Sequence, residues 1–520
     1  MSLCNQKANC KTRKPTPLES VLRRSLSRQT KLAEVLQFKL DETQSQLREL
    51  NNRLSYTNRE RDCAAAEANL RSLNEQPSTF PPCQSERPMP GFQFNLTTIA
   101  TAIELGKRVG FRAAAHVMQI VFDMFQIEMK VPSHDAIEQW TLRLGVASLE
   151  DTFDKAERVL WMADHSSQVG KVRLLLIVGL ALKDLPPPGE TLDFDRIKVL
   201  AMVPSQSWKK EDVEREYLKL AEQIGSPVYL LCDGATELRD SAQKLEKNGE
   251  KTIVLGDLKH HAANILEKEI ALSKRFATFQ TEVALARNRI QQTELDQFAP
   301  PALRQKSRFM NLGSLFNWAT MVLFHLSTPS SQSRLEIDDG RMTEKLGWLR
   351  EYADDLVGWN ACQKVIDISL LVINKHGLDA HTGRQLEKAL SEANPNWRNE
   401  DCSATRIGLK LCEWINQSYQ TLHLDERAWL STEILESLFG KFKQLERQQS
   451  KRGFTRLIAA IPTLCIRATR DLVRVSFQRV DSKALRTWIE QRLGRTLTAR
   501  RNAAYRESRP KKPNIKLSPA

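Results

Sequence analysis

Three short apolar runs, Arg158 to Asp164, Val172 to Leu182 and Ile197 to Val203, follow one another with only turn-forming or polar residues between them. They predict three successive strands. A fourth run, Val228 to Cys232, comes after a charged helical segment, Lys209 to Ile224. A fifth, Thr252 to Leu255, comes after another helix that starts near Ala235. Three adjacent strands followed by helix-separated ones imply an α/β fold, a mixed five-stranded sheet covered by helices.

Two of the runs end on an acid. The first closes Val159-Leu160-Trp161-Met162-Ala163-Asp164 and the fourth Val228-Tyr229-Leu230-Leu231-Cys232-Asp233, with Gly234 next to let the backbone turn. Taken singly, a strand-end Asp before Gly is ordinary turn chemistry. Adjacent strand ends, however, can bring the two carboxylates together, and like charges in a poorly solvated site persist mainly where a divalent cation compensates them.

A third acid lies on the segment Ser431-Thr432-Glu433-Ile434-Leu435-Glu436-Ser437-Leu438-Phe439-Gly440-Lys441-Phe442-Lys443, whose apolar spacing is helical. Glu436 and Lys443 are two turns apart and share a face, so the acid can bind metal while the lysine holds a nearby phosphate. Glu433, one turn earlier, is the competing acid, because Ser/Thr followed by Glu also resembles a helix start. Between the second and third acids, Leu255-Gly256-Asp257-Leu258-Lys259-His260 places Asp257 and His260 at a strand-to-helix junction, where they can brace the site; His261 is the alternative histidine.

In this ordered combination, residues 155 to 450 resemble the DDE transposases of bacterial insertion sequences, whose catalytic core is ribonuclease-H-like. The resemblance implies catalytic and metal-binding roles for Asp164, Asp233 and Glu436, with Asp257 and His260 as an Asp-x-x-His support. It also implies two Mg²⁺ ions, with Mn²⁺ able to substitute, in two-metal phosphoryl transfer on DNA. The interval from Asp233 to Glu436 is far longer than the core requires, and the helical spacing from about 261 to 425 matches an all-α insertion. In such relatives an aromatic of the insertion stacks on a displaced base, and Trp318, Trp348, Trp359, Trp397 and Trp414 are the candidates. The clearest helix of this block is expected at Met342 to Val357.

The rest of the chain supplies binding parts. Positions 22, 26, 29, 33, 36, 40, 43, 47, 50 and 54 form a heptad seam, predicting a coiled-coil helix that pairs with its own copy or folds back on the body. Five prolines between Glu75 and Gly91 mark a linker. Residues 92 to 150 return to helical spacing, with Ser133 as a helix cap and Gly145 as its end. Two helices in this order read either as a helix-turn-helix, presenting His134, Glu138, Gln139 and Arg143 to a DNA groove, or as a purely structural pair.

Net charge is +14, and residues 1–31 and 483–520 carry +7 and +9 of it, leaving the body close to neutral. Basic arms of this kind suit phosphate, so double-stranded DNA is the expected partner, with Lys441, Lys443, Gln139, Arg143, Arg500, Arg501, Lys511 and Lys512 as candidate contacts. Nine scattered cysteines without a CxxC pair argue against disulfides and structural zinc. The longest apolar run, Leu174 to Leu182, is too short to span a bilayer, so no membrane association and a bacterial cytoplasmic, nucleoid-bound location are expected.

The implied organisation is a basic arm and coiled-coil helix at 1–74, linker at 75–91, small all-α domain at 92–150, first part of the core at 151–270, helical insertion at 271–425, core C-terminal helices at 426–482 and basic tail at 483–520. A homo-oligomer, at least a dimer, is expected because two DNA ends must be cut together. Two other readings share these features: a catalytically inactive, transposon-derived DNA-binding or architectural protein, and a nuclease on the same fold that cuts without joining.

Overall fold

A computed structural model of the chain describes residues 87–520, apart from 168–172, 271–272, 303–308, 310–311, 328–337, 400, 424–425, 449–455, 495–496 and 509–520. The heptad seam, Lys511 and Lys512 lie outside the described residues, as does the side chain of Arg500.

The five expected strands form one sheet: β1 (Val159–Ser167), β2 (Arg173–Ala181), β3 (Ile197–Ser205), β4 (Tyr229–Cys232) and β5 (Ile253–Gly256). Their order is β3-β2-β1-β4-β5, with β1–β2 and β2–β3 antiparallel and β1–β4 and β4–β5 parallel. This mixed pairing follows from the connections, since the short links permit antiparallel neighbours while the helix-bearing links return the chain in parallel.

Side-chain alternation splits the strands between two cores. Leu160, Met162, Leu174, Leu176, Tyr229, Leu231 and Leu255 enter the larger one. Trp161, Ala163, Leu175, Ile177, Leu230 and Cys232 enter the smaller one, which Val213, Tyr217 and Leu220 complete from a helix on the other face.

Among the described residues the α-helices of eight residues or more, in chain order, are α1 (Leu96–Val109), α2 (Phe111–Met124), α3 (His134–Ser148), α4 (Lys210–Ile224), α5 (Leu258–Ile270), α6 (Lys274–Ile290), α7 (Gly313–Ser327), α8 (Asp339–Leu346), α9 (Ala353–His376), α10 (Thr382–Ala393), α11 (Ser403–Gln420), α12 (Glu433–Arg447), α13 (Arg470–Arg479), α14 (Ser482–Leu493) and α15 (Leu497–Glu507). Helix α4 is the one that closes the smaller core. The described residues from Leu258 to Gln420 contain helix and connecting turns, and Leu378 forms an isolated bridge with Ala428 as the chain returns to the sheet.

The continuous helix expected over Met342 to Val357 is instead broken by a 3₁₀ segment, Gly347–Tyr352. The reason is legible afterwards: Leu346, Leu349 and Tyr352 are buried at intervals of three, which a three-residue turn aligns and an α-helix does not. Asp339–His376 is long and apolar enough by composition to cross a membrane; of its apolar side chains Leu346, Leu356, Trp359 and Ile366 are packed in the larger core, while Val357 and Leu371 are exposed.

Helix α3 departs from expectation in three ways. Ser133 does cap it, accepting the Ala136 N–H at 3.2 Å, but the helix runs past Gly145 to Ser148. At Gly145 an added Cβ would stand 1.8 Å from the Ala459 carbonyl oxygen, so the glycine serves the close approach of the 3₁₀ segment Arg456–Cys465 rather than a helix end.

Arg143, expected to face DNA, is buried. Its Nε donates to the Val480 carbonyl at 2.8 Å and its Nη2 to the Phe477 carbonyl at 3.1 Å, while the guanidinium lies over the Phe477 ring. Burial lowers its pKa, and the nearby Asp481 offsets part of that. Both of these bonds tie α3 to the end of α13, and the buried guanidinium is not presented to a DNA groove.

Glu138 is likewise held in a two-pronged pair with Arg456 at 2.8 and 2.9 Å, and Gln139 is half-buried. A helix covered along this length is the centre of a bundle, and the structural-pair reading of α2 and α3 describes it better than a recognition helix. The bundle also draws in residues expected to belong elsewhere: Lys107 donates to the carbonyls of Thr463 at 3.0 Å and Ile466 at 2.7 Å. Residues 92–150 and the segment 456–489 therefore share one core.

Candidate active site

Asp164 stands one residue beyond the last parallel pairing of β1 with β4, Ala163 opposite Cys232, and Asp233 stands one beyond it on the neighbouring strand. Asp164 is cross-strand partner to Leu176, which places its side chain on the face of the larger core. The backbone fixes both carboxylates locally. Asp164 Oδ1 accepts its neighbour's N–H from His165 at 2.6 Å, and Asp233 Oδ1 accepts from Ala235 at 2.9 Å. Gly234 takes a φ of +87°, the left-handed turn that glycine permits directly after the acid.

Burial pushes the Asp164 carboxyl up to about 7, and the negative charges of Asp233 and Glu436 push in the same direction. The His165 N–H and the His260 imidazole pull it down, but by less. Asp164 thus feels both other acids of the expected triad.

Glu436 lies on α12, whose apolar residues Ile434, Leu435, Leu438, Phe439 and Phe442 pack into the larger core. That is the sheet face on which Asp164 lies, and α12 touches β1. The Glu436 carboxylate itself is occupied: Lys259 Nζ sits 2.9 Å from its Oε2 and 3.5 Å from Oε1 of Glu433. Burial alone would lower the Lys259 pKa, but Glu436, Glu433 and Asp257 raise it. Glu433 also accepts from Asn374 Nδ2 at 2.7 Å, so it is engaged on the side of α9.

Asp257 does more than brace a histidine. It is almost fully buried, and its Oδ1 accepts the backbone N–H groups of Lys259 at 2.6 Å and His260 at 3.3 Å, capping α5. Its Oδ2 accepts the Thr432 N–H at 3.1 Å and also the Thr432 hydroxyl. Burial raises the Asp257 pKa, but His260 and Thr432 together outweigh it and hold the group below its ordinary value.

Thr432 immediately precedes α12, and the Leu258 N–H donates to the Leu430 carbonyl at 2.9 Å beside it. The β5–α5 corner is thereby fastened to the start of the helix that carries Glu436. His260 Nδ1 is 3.4 Å from Asp257 Oδ2, an ion-pair separation without hydrogen-bond alignment. Burial depresses the His260 pKa, and Asp257, Asp233 and Asp164 reverse that to a net rise.

His261, the alternative histidine, points elsewhere: it stacks on Trp414 with ring centroids 4.4 Å apart. Of the other insertion tryptophans, Trp318, Trp359 and Trp397 are buried, and Trp348 packs on Phe279 and Tyr352. Lys441 lies over the Phe194 ring at 3.5 Å, while Lys443 and Arg501 are exposed. His165, next to Asp164, faces the other core, where it stacks on Trp208.

As donors, Asp164, Asp233 and Glu436 are of the hard oxygen type that Mg²⁺ or Mn²⁺ takes. Among the described residues, no three His, Cys, Asp or Glu side chains stand close enough together to hold an ion. The two strand-end aspartates suit such an ion, while Glu436 is diverted by Lys259. Lys259 and Thr432 are the residues that sequence reasoning passed over. The first lay inside the Asp-x-x-His segment, and the second directly before the helix.

No family model matches the chain, and no curated protein matches it. Among solved structures it is similar to that of the Drosophila P element transposase strand transfer complex, at 13% identity and a TM-score of 0.37, with 81% of this chain and 100% of that chain covered. A score this low carries no inference about chemistry.

Proposed function

We propose that the protein is a DNA transposase of the acidic-triad type, with a ribonuclease-H-like core interrupted by the helical block. The observation that carries the reading is the coupling of Asp164 to both Asp233 and Glu436 across β1, β4 and α12. A buried Asp164 carboxyl pushed up by burial and by the acid ending the neighbouring strand suits cation binding better than fold stability. When bound at Asp164, Asp233 and Glu436, two Mg²⁺ or Mn²⁺ ions would supply an activated oxygen nucleophile and charge stabilisation for in-line displacement at phosphorus.

The chain's own residues divide the remaining work. Asp257 and Thr432 hold the Glu436 helix against the β5–α5 corner. His260, kept cationic over a wider pH range by its acidic surroundings, offsets part of the negative charge at Asp164. Exposed Lys443 and Arg501, with the basic termini, bind the phosphates of double-stranded DNA. The heptad seam brings two copies together so that two ends are processed in one complex. The protein is expected to act on intracellular DNA without a membrane.

A strand-transfer assay tests this. Purified protein, Mg²⁺ and a duplex with a pre-cut 3′ end should join that end to plasmid DNA, and Asp164→Ala should abolish cleavage and joining while sparing DNA binding. Cleavage without joining would make the protein a nuclease, and joining by Asp164→Ala would remove the triad.

A further inference from the structure

The third acid of the site is held, and the residue holding it is built into the most rigidly tied corner of the site. Lys259 begins at a backbone N–H fixed by Asp257 Oδ1 at 2.6 Å, and its ammonium ends 2.9 Å from Glu436 Oε2. Its side chain is only 14% exposed, against 40% for Glu436, so the glutamate is the partner with more access to solvent. The same ammonium reaches Glu433 Oε1 at 3.5 Å, which leaves it bridging two acids on consecutive turns of α12.

An ammonium and a divalent cation compete for the same carboxylate, since either one satisfies its charge. Lysine is suited to giving way, because its compact charge sits on a flexible four-carbon stem and a DNA phosphate offers it an equivalent partner.

We propose that Lys259 is a latch on metal loading: in the DNA-free protein it occupies Glu436, and a phosphate of bound DNA draws it away, leaving Glu436 to join Asp164 and Asp233 around the cation. This rests on the metal-site reading above and adds an order to it. Cation affinity is low until DNA is present, and by linkage the cation strengthens DNA binding by the same factor.

The test is Mn²⁺ titration of the full chain by calorimetry, with and without a short blunt duplex, for the wild type, Lys259→Met, Lys259→Gln, Lys259→Arg and Asp164→Asn. Circular dichroism identifies any variant that fails to fold, and the two neutral substitutions guard against losing one of them. Without DNA, Lys259→Met and Lys259→Gln should bind Mn²⁺ about tenfold more tightly than wild type, and the duplex should add little more. Lys259→Arg, which keeps the charge, should behave as wild type without DNA.

Equal DNA-free affinity in wild type and both neutral variants, with Asp164→Asn still abolishing binding, would refute the latch and leave the metal site standing. Absence of any Mn²⁺ binding sensitive to Asp164→Asn, with or without duplex, would overturn the metal-site reading and the latch together.

Discussion

Replacing Asp164 by asparagine should stabilise the sheet it ends, and the gain should depend on pH in a defined direction. Burial first, then Asp233 and Glu436, raise the Asp164 carboxyl from 3.8 to about 7. A raised carboxyl means that the folded state resists ionisation. The cost is absent below the unfolded value, grows as pH climbs from about 4 to about 7, and is complete above that.

A span of roughly three pH units corresponds to about 4 kcal/mol at most, of which on the order of 3 kcal/mol develops between about pH 5 and pH 8. In a chain this large a global unfolding energy is poorly defined, so local opening is the better measure. Hydrogen exchange of peptides covering β1 and β4 should slow in Asp164→Asn relative to wild type by up to roughly a hundredfold more at pH 8 than at pH 5, intrinsic exchange cancelling in the ratio. Mg²⁺ added together with duplex DNA should narrow the gap by protecting the wild type. Equal exchange in the two proteins at pH 8, or faster exchange in the variant, would show that Asp164 is not a strained buried acid.

The other expectations are more local. Thr432→Val removes a buried hydroxyl from Asp257 and should cost about 1–3 kcal/mol; because the Asp257 pKa is held down by that contact, stability that is lost as pH falls should be lost from a higher pH in the variant, as an acid titration followed by circular dichroism would reveal. Gly145→Ala places a Cβ against the Ala459 carbonyl and should lower the thermal midpoint markedly, whereas Gly440→Ala, with open space around it, should not. Lys443→Ala should reduce the slope of log affinity for duplex DNA against log salt by about one, while Arg143→Met should leave that slope unchanged and lower the melting temperature instead.

The sheet was readable in the sequence because both of its signals are local. Apolar runs bounded by turns give strands, and all five lie within three residues of their expected limits. The pairing of strand-end acids was also readable, since neighbouring strands that end in register need no knowledge of distant residues.

What escaped reading depends on contacts between remote segments. Arg143 looks like a solvent-facing basic residue on a helix until residues 477 and 480 supply the carbonyls that consume it. Gly145 looks like a helix end until the Ala459 carbonyl arrives. Lys259 and Thr432 gain meaning only because α12 docks on the β5–α5 corner, and no spacing within either segment announces a partner more than 170 residues away.

The central claim is that Asp164, Asp233 and Glu436 share metal over a DNA phosphate, and anomalous diffraction from crystals of the protein with duplex DNA and Mn²⁺ tests it most directly. Anomalous peaks should lie between the carboxylates of Asp164 and Asp233, with Glu436 turned from Lys259 to reach them. Peaks elsewhere, or a DNA complex in which the Glu436 to Lys259 pair stays closed over an Mn²⁺-free aspartate pair, would contradict the account.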